Sequence, residues 1–302
     1  MSAKDRRRLA ITEAEMSLLE ATNPSYYLRR LGLESFHWQK VAMDPTSKRV
    51  LMLTCRQAGK STVIAGKVTV EAKYVPGSLE LVTCPAQDQS KELLKKVDAF
   101  LIHDTSLQLK NDAAFEKEFH NGSRIVALPG TERSVRGYSK PSKIIVDEAA
   151  RVQDETIYAL RPMMASANTE LIMLSTPWGK RGYFHKQWQI GKNWKKILVR
   201  VAWDLVNGKL QPSEPEEQFH SRMLKQGILA YYSPRHDLEF LQNELDEGMD
   251  ELWFRQEYMC EFVEELTNMF TREMIDRAMD DSVQPLFRGA LSEEVEPLEV
   301  AL

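Results

Sequence analysis

The sequence contains a short motif that is typical of loops that bind phosphate groups. In CRQAGKST, Gly59 lets a ligand approach the backbone closely, the Lys60 side chain can reach phosphate oxygens, and the Ser61 hydroxyl can ligate Mg²⁺. Thr54 stands where the usual motif has its first glycine. The motif alone leaves a second interpretation open, an ordinary strand-to-helix turn with an exposed lysine. The other residues that such a loop would offer to a phosphate chain are Arg56, Gln57, Ala58 and Thr62.

Two adjacent carboxylates, Asp147 and Glu148, follow an apolar run in the segment SKIIVDEAARV. Taken alone, the pair would more often mark the start of a helix, where the helix dipole favours negative charge. In a chain that also carries a phosphate-binding motif, the same pattern predicts a Walker B element. In such an element Asp147 holds Mg²⁺ and Glu148 polarises the attacking water.

Two weaker signals fit the same chemistry. The Gln39 amide precedes the phosphate-binding motif and can both donate to and accept from an adenine edge, although it can equally be a surface glutamine beside a core Trp38. Ser175, Thr176 and Pro177 end the apolar run LIMLS and can sense a terminal phosphate. A Ser-Thr-Pro turn is also a common helix cap.

An enzyme that hydrolyses a nucleoside triphosphate needs a cation to neutralise charge in the transition state. The best candidates are Arg56, within the loop, and Arg136, in the segment TERSVRGYS. Each is by default a solvated loop residue.

Basic residues are densest in the segment Trp178–Arg200, which holds seven Lys and Arg, no acidic residue and five aromatic residues. Interleaved basic and aromatic side chains suit a nucleic-acid backbone. An exposed amphipathic strand pair whose tryptophans belong to the core explains the pattern equally well. The candidate phosphate contacts are Lys180, Arg181, Lys186, Lys192, Lys195 and Lys196.

These residues need a scaffold that brings the ends of several strands together. The apolar runs VLMLT, LELVTC, KIIV and LIMLS are typical of buried strands, and helical patterns follow the first two. The alternation predicts an α/β fold with a mainly parallel sheet and helices on both faces. Ligands of such sheets bind at the carboxyl ends of the strands, where the motifs fall. Shorter signals predict a helix break at Asn23-Pro24 and a hairpin around Asn121-Gly122.

Length, composition and charge exclude several classes of protein. The 302 residues (34.8 kDa) suit one large domain or two small ones, and no apolar run approaches the length of a membrane span. Three distant cysteines predict neither a disulfide framework nor a zinc site. The net charge of −4 averages two opposite regions: residues 1–236 carry 36 Lys and Arg against 25 Asp and Glu, whereas residues 237–302 carry 4 against 19. The basic part is therefore the candidate for contact with a polyanion.

The segments CRQAGKST, KIIVDEAA, LSTPWG and WFRQEYMCEF occur in an order that resembles the ATPase portion of large terminase subunits, the motors that package DNA into the capsids of tailed viruses. The resemblance covers roughly residues 30–265. It includes a deviant P-loop that lacks the first glycine and carries an internal arginine, here Arg56. The segment around Gln39 is similar to the adenine-reading motif of that family.

The resemblance implies an additional-strand P-loop (RecA-like) fold, with ATP and Mg²⁺ as cofactors. By it, Lys60 and Ser61 bind phosphates and metal, Asp147 binds the metal, and Glu148 is the catalytic base. Arg136 falls where related motors place an arginine finger that acts on a neighbouring subunit. The coupling motif would be Ser175, Thr176 and Pro177.

The same resemblance divides the chain into an ATPase core (1–205), a small helical lid (206–265) and a linker with an acidic tail (266–302). Because few residues follow the lid, no nuclease activity is expected from this chain. The implied partners are double-stranded DNA, the portal protein, the small terminase subunit and further copies of the chain, in a ring of about five by analogy with the family. The implied location is the host cell cytoplasm, on the viral procapsid.

Two other hypotheses remain from the residues. A helicase-like DNA translocase would need a second ATPase core, for which residues 206–302 are too short and too acidic. A non-enzymatic DNA-binding or scaffold protein would not need Lys60, Ser61, Asp147 and Glu148 all in place.

Overall fold

The computed structural model describes residues 15–104, 106–129, 131, 137–165 and 168–264. The chain falls into two compact units, residues 1–263 and residues 264–302. All of the second unit except Glu264 lies outside the described residues, so the predicted linker and acidic tail (266–302) remain a prediction. No helix in the described part of the chain is both long enough and apolar enough to cross a membrane.

The described residues form eleven strands, and nine of them make one sheet in the order β11-β8-β1-β7-β6-β2-β5-β4-β3. Neighbours from β11 to β5 are parallel, whereas β4 and β3 are antiparallel additions at one edge. The other two strands form a separate hairpin. In chain order the strands are β1 (Arg49–Thr54), β2 (Leu79–Cys84), β3 (Leu109–Ala113), β4 (Glu116–Phe119), β5 (Arg124–Pro129), β6 (Lys143–Asp147), β7 (Glu170–Ser175), β8 (Lys195–Arg200), β9 (Trp203–Val206), β10 (Lys209–Pro212) and β11 (Ile228–Tyr232).

Helices flank the sheet in two groups. Helices α1 to α4 contact one another in succession, and α4 also contacts strands β2 and β5. Helices α5 and α6 contact each other, and α6 contacts the 3-10 turn that follows β6. The helices are α1 (Pro24–Arg30), α2 (His37–Met43), α3 (Lys60–Tyr74), α4 (Gln87–His103), α5 (Asp154–Leu160), α6 (Gly182–Ile190), α7 (Glu216–Leu224), α8 (Leu238–Asp246) and α9 (Glu251–Glu257). Residues 15–22 are also helical, and 3-10 turns lie at Ala149–Arg151 and Arg161–Met164.

The predicted α/β architecture is confirmed, because the apolar runs of the sequence become the central strands. Nearly every residue of β1, β6 and β7 is buried, as expected for strands covered by helices on both faces. Strand β7 lies between β1 and β6 and is therefore the additional strand of the fold. The pairing of Leu53 with Ser175 and of Asp147 with Leu174 brings the carboxyl ends of all three strands to one edge.

Local signals at the periphery are also confirmed. The Asn23 side chain accepts a hydrogen bond from the Ser25 backbone N–H at 3.1 Å, which caps α1 immediately after the helical residues 15–22. The hairpin predicted around Asn121-Gly122 joins β4 to β5, with Gly122 at a φ of +83°.

The region of the predicted lid (206–265) is described as far as Glu264, and its boundary at residue 205 stays a prediction. It contains α7, α8 and α9, and it also contains β11, which pairs in parallel with β8. Because β11 is an edge strand of the main sheet, residues 1–263 form one compact unit without a break near residue 205.

Candidate functional site

The loop that follows β1 is shaped for contact with an anion. Its backbone is held by two hydrogen bonds, from the Cys55 N–H to the Val199 oxygen at 2.7 Å and from the Arg56 N–H to the Glu257 oxygen at 2.8 Å. Gly59, which precedes α3, has a φ of +101°, and a Cβ at this position would lie 3.1 Å from the Gln39 amide nitrogen. Both constraints favour glycine. The first turn of α3 leaves backbone N–H groups without helical partners, and the helix dipole attracts negative charge there.

Lys60, the first residue of α3, forms an ion pair with Glu148 at the end of β6. The distance from the Lys60 Nζ to the Glu148 Oε1 is 2.6 Å. Burial opposes the positive charge of Lys60, but the carboxylates of Glu148 and Asp147 outweigh burial and raise the pKa of this lysine. Lys60 is therefore a fixed cation at the mouth of the loop.

Ser61 and Asp147 lie side by side and fit a Mg²⁺ ion. Their oxygens are 3.5 Å apart, and two oxygens on adjacent corners of a Mg²⁺ octahedron are about 3 Å apart. Burial raises the pKa of Asp147, and the nearby Lys60 opposes this shift. A divalent cation would favour the ionised form of this carboxyl group. Within the described residues, no group of three or more His, Cys, Asp or Glu side chains could hold a metal alone. This is the normal situation for Mg²⁺, which binds through one or two carboxylates, phosphates and water.

Glu148 is surrounded by polar groups from the neighbouring strand. Its backbone has a φ of +49°, an uncommon conformation for a residue other than glycine. Its Oε2 lies 3.5 Å from both the Ser175 hydroxyl and the Thr176 hydroxyl. Ser175 also accepts a hydrogen bond from the Ala150 N–H at 3.2 Å, which ties the end of β7 to the turn after Glu148. The prediction that Asp147-Glu148 and Ser175-Thr176-Pro177 belong to one site therefore agrees with the geometry.

A second set of charged side chains is centred on Glu257, at the end of α9. Glu257 is buried, and its carboxylate oxygens lie 3.7 Å from Arg56 on one side and 3.7 Å from Arg151 on the other. The Arg151 guanidinium also stacks over the Trp178 ring, 3.9 Å from its centre. The Arg56 side chain is 64% exposed, so it projects from the loop toward solvent and is only weakly held.

Two cavities meet at Lys60. The larger, of about 490 Å³, runs along the loop, and the smaller, of about 340 Å³, lies on the side of Glu148. Residues lining the larger cavity are Gln57, Gly59, Lys60, Ser61, Thr62, Lys96, Arg235 and His236. Residues lining the smaller cavity are Arg56, Lys60, Gln89, Glu148, Arg151, Thr176 and Glu257.

Gln39 lies at the loop, as predicted, but only one end of its amide faces it. The Gln39 Oε1 accepts a hydrogen bond from the Phe36 N–H at 2.9 Å, whereas the Nε2 points toward Gly59. The Oε1 thus already accepts one hydrogen bond within the chain, and the Nε2 donor lies on the side of the loop. Arg136 lies outside the described residues.

The six basic residues predicted to contact DNA do not form one surface. Lys180, Arg181, Lys186 and Lys192 are exposed on or beside α6. Lys196 is buried in β8 and donates to the Trp188 carbonyl at 2.6 Å, while Lys195 donates to the Val41 carbonyl and contacts Asp44, both at 2.9 Å. Both ammonium groups are used inside the chain, so they are poorly placed for the predicted DNA contact.

Aromatic residues of the same segment are partly core residues. Phe184 and Trp188 are buried on one face of α6, and β8 follows as a sheet strand. The aromatic and basic side chains therefore alternate because one face of a helix is buried, and the segment is a helix followed by a strand rather than a strand pair.

Sequence reasoning missed six residues that line the two cavities: Gln89, Lys96, Arg151, Arg235, His236 and Glu257. Arg235 and His236 follow β11, so recognising ILAYY as a strand of the main sheet would have pointed to them. The sequence carries no comparable signal for the other four, because their positions depend on how helices and loops pack.

Comparisons with known proteins agree with this architecture. The family described as terminase large subunit, T4likevirus-type, N-terminal, matches residues 51–277. The large terminase subunits of Thermus phage G20c and Thermus virus P23-45 are each 25% identical over 267 residues, covering 81% of this chain and 52% of theirs. The chain therefore spans about half the length of the curated relatives it matches.

Solved structures show the same fold. A variant of the ATPase domain of the Thermus phage P74-26 large terminase has a TM-score of 0.57 at 19% identity, covering 80% of this chain and all of that domain. The large terminase of another thermophilic bacteriophage, in complex with ADP, has a TM-score of 0.51 at 10% identity, covering 78% of this chain and 53% of that one. Since the family match extends over most of the sequence, this chain belongs to the terminase large subunit family of the T4likevirus type.

Proposed function

We propose that this chain is an ATPase and that it drives double-stranded DNA into a viral procapsid as the motor part of a large terminase. The observation that carries the proposal is the pairing of the loop after β1 with the end of β6. It brings Lys60 to Glu148 at 2.6 Å and Ser61 to Asp147 at 3.5 Å. The solved complexes of a thermophilic bacteriophage's large terminase with ADP and with ATP-gamma-S support nucleotide binding by this fold.

Nucleotide binding would use the larger cavity. Backbone N–H groups of the loop and of the first turn of α3 would face phosphate oxygens, and the Gln39 Nε2 would contribute a donor near Gly59. Ser61 and Asp147 would hold Mg²⁺, which when bound neutralises charge on the transferred phosphoryl group. Because the Gln39 Oε1 already accepts a hydrogen bond from the Phe36 N–H, the Nε2 is the group best placed to contact adenine.

Hydrolysis would begin when Lys60 exchanges Glu148 for a phosphate oxygen of the nucleotide. Glu148 is then free to accept a proton from the water that attacks the terminal phosphorus. The bond from that phosphorus to the bridging oxygen breaks, and ADP and inorganic phosphate are the products. Ser175 and Thr176, both 3.5 Å from Glu148, would orient the carboxylate and transmit loss of the terminal phosphate to β7.

Two arginines are proposed for charge stabilisation. Arg56 projects from the loop with its side chain 64% exposed, so it can turn toward a terminal phosphate at little cost. Arg136 would act on the nucleotide of the adjacent subunit in a ring of about five copies, as the family resemblance implies. A ring assembled at the portal protein, together with the small terminase subunit, on a procapsid in the host cytoplasm completes the proposal.

DNA contact is proposed for the exposed residues beside α6, namely Lys180, Arg181, Lys186 and Lys192. Binding through phosphates should weaken steeply as salt is raised. We expect a variant with alanine at all four positions to bind a DNA duplex more weakly and with a shallower salt dependence. Fluorescence anisotropy at several salt concentrations measures both, and wild-type behaviour would contradict the assignment.

Phosphate release from ATP tests the central proposal. The wild-type chain should release phosphate in the presence of Mg²⁺, and Glu148→Gln should reduce turnover by a factor of about 10² to 10⁴, the usual contribution of a general base. The same variant should still bind ATP in a calorimeter. A variant that hydrolyses ATP at the wild-type rate would remove Glu148 from its role, and a wild-type chain without turnover, tested also with duplex DNA, would overturn the ATPase proposal.

Mixing experiments test the role of Arg136. If Arg136 acts across a subunit boundary, Arg136→Ala chains added in excess should inhibit turnover by wild-type chains, because each wild-type site then has a defective neighbour. An unchanged wild-type rate in the mixture would contradict action on a neighbour.

A further inference from the structure

The larger cavity has a second charged wall that faces the phosphate-binding loop. Two cations form it, and they come from elements far apart in the chain. Lys96 lies on α4, after β2, and Arg235 lies in the loop after β11. Both line the same cavity of about 490 Å³ as Gly59, Lys60 and Ser61.

Lys96 is half-buried and faces the cavity. Its electrostatic neighbours include Asp147, Lys60 and Arg235, so its ammonium group lies within the field of the proposed metal and phosphate site. Burial lowers the pKa of Lys96, and Asp147 only partly opposes this shift. An anion with phosphate oxygens would give this half-buried cation a close acceptor on the side of the cavity.

Arg235 closes the cavity at the other end of the loop. Its guanidinium carbon lies 3.5 Å from the position of a Cβ on Gly59 and 5.7 Å from the centre of the Phe36 ring. The side chain therefore rests against the glycine that begins the phosphate-binding helix. A planar guanidinium in this position can donate two parallel hydrogen bonds to phosphate oxygens.

Charge balance indicates why two further cations are needed. Lys60 is already paired with Glu148, and Asp147 adds another carboxyl group, so the wall formed by these three residues offers no net positive charge. A nucleoside triphosphate remains negatively charged even with one Mg²⁺ bound. Without Lys96 and Arg235, backbone N–H groups and a Lys60 that must first leave Glu148 would be the only protein groups of this cavity to attract such a ligand among the lining residues.

We propose that Lys96 and Arg235 bind the polyphosphate chain of the nucleotide from the side opposite the phosphate-binding loop. This inference rests on the proposed function, since it takes the ligand of the cavity to be a nucleoside triphosphate. It makes α4 and the loop after β11 part of the nucleotide site, in addition to the loop after β1. Arg235 then links the occupied site directly to β11 and the segment that follows it.

Calorimetric titration of the full chain with ATP and Mg²⁺ tests the inference. Lys96→Met and Arg235→Gln should each weaken ATP binding about tenfold or more, the usual effect of losing a charge-assisted hydrogen bond. Arg235→Lys should recover part of the loss. Matched controls are Lys95→Met, one residue along α4 but exposed and paired with Glu92, and Arg222→Gln, which is exposed and paired with Glu214. Both controls should bind ATP as the wild type does.

Inorganic tripolyphosphate, used as a competitor of ATP, separates phosphate contacts from base contacts. The two variants should lose affinity for tripolyphosphate by the same factor as for ATP. Unchanged tripolyphosphate affinity, or unchanged ATP affinity, would overturn the inference. If Lys96→Met proves unstable in thermal unfolding, the exposed Arg235 and its Gln and Lys variants still decide the question.

Titration of the wild type separates the two possible failures. A wild-type chain that binds no ATP would overturn the proposed function and this inference together. The inference alone would be overturned by a different set of results: the wild type binds ATP, Lys60→Ala does not, and the variants at Lys96 and Arg235 bind ATP as the wild type does.

Discussion

Charged side chains are concentrated at both edges of the main sheet, but the two edges treat them differently. At the carboxyl edge, Glu148 lines a cavity. Apart from its 2.6 Å pair with Lys60, which also faces the cavities, the contacts of Asp147 and Glu148 with hydroxyl groups are 3.5 Å long. At the amino edge, Lys143 and Glu170 begin two neighbouring strands and are paired directly at 2.6 Å. One edge is open to a ligand and the other is closed.

The closed edge is a compact ionic cluster, here defined by Lys67, Glu71, Lys143 and Glu170. The Lys67 Nζ lies 2.7 Å from Glu170, and Lys143 also lies 3.1 Å from Glu71. Burial opposes the charge of Lys143, but Glu170 and Glu71 outweigh burial and raise the pKa of this lysine. Within the cluster each charge therefore has an opposite charge in contact, at the cost of removing all of them from water.

Buried charges at the two edges differ in whether their ion pairs are complete. A cluster that completes its own ion pairs has little to gain from a ligand and holds strands in place. A set of charges that is only partly paired gains when a ligand arrives, as Lys60, Lys96 and Arg235 would with a polyphosphate. Substitutions at the carboxyl edge should therefore alter function more than stability, and those at the amino edge the reverse.

The largest effect is expected for Lys60→Ala at the carboxyl edge. Loss of the cation that holds the terminal phosphates should lower ATP turnover by a factor of about 10³ or more, because catalysis of phosphoryl transfer depends on positioning and charge stabilisation. The free energy of unfolding should change by less than about 1 kcal/mol, since Glu148 is partly exposed to water. Phosphate release and urea unfolding measure the two quantities. A large loss of stability would show that the Lys60–Glu148 pair is structural, like the ion pairs at the amino edge.

Lys143→Met is expected to have the next largest effect, now on stability. It leaves buried Glu170 with Lys67 as its remaining partner and removes the lysine paired with the partly exposed Glu71. Breaking a buried pair costs about 3–5 kcal/mol, and the Lys67 contact places the expected loss at the lower end of that range. ATP affinity should be unchanged at a temperature where the variant is folded. The control is Lys110→Ala, which removes an exposed pair with Glu118 and should cost less than about 1 kcal/mol. Equal losses for the two variants in urea unfolding would contradict the closed character of the amino edge.

Glu257→Gln is expected to have an intermediate effect at the carboxyl edge. We interpret Glu257 as a positioning residue, because it lies 3.7 Å from both Arg56 and Arg151 and its backbone oxygen binds the Arg56 N–H. The turnover number should fall about tenfold while the KM for ATP changes less than about twofold, since orientation is affected rather than binding. The control is Glu251→Gln, an exposed position on the same helix. A change in KM alone would contradict the positioning role.

The carboxyl edge was largely predictable from the sequence. The apolar runs that become β1, β6 and β7 end at the motif residues, and strands of that pattern in a parallel sheet must bring those ends together. Lys60, Ser61, Asp147, Glu148, Ser175 and Thr176 were all predicted and lie together. Local pattern was sufficient here because each functional residue directly follows its strand.

Long-range pairing was not predictable from the sequence. Strand β11 has five residues and lies between helical segments, so only its pairing with β8 identifies it as part of the main sheet. The positions of the Lys195 and Lys196 side chains were not predictable either. Two adjacent lysines at the start of a strand are expected to be exposed, but these long side chains donate to acceptors inside the chain. The amino-edge cluster depends on side chains from α3, β6 and β7 and has no motif at all.

The smallest effect is expected for Glu80→Gln, which tests whether the amino edge is closed at every position. Glu80 lies in β2 and is fully buried, and neither carboxyl oxygen makes a well-formed hydrogen bond within the described residues. Burial raises the pKa of Glu80 well above its usual range, although Lys143 opposes the shift. We therefore interpret Glu80 as a neutral acid. Its replacement by glutamine, an amide of the same shape, should change the free energy of unfolding at pH 5 by less than about 1 kcal/mol.

The pH dependence of this substitution has a defined sign. In the unfolded chain a glutamate ionises near pH 4.3, whereas folded Glu80 keeps its proton, so the wild type loses stability as the pH rises above that value. Glutamine has no proton to lose, and Glu80→Gln should therefore gain stability relative to the wild type between pH 5 and pH 8. Urea unfolding at several pH values measures the difference, with the exposed Glu92→Gln as control. If the free energy of unfolding of Glu80→Gln instead fell relative to the wild type with rising pH, Glu80 would be ionised beside Lys143. The amino edge would then contain a buried charge without a complete ion pair.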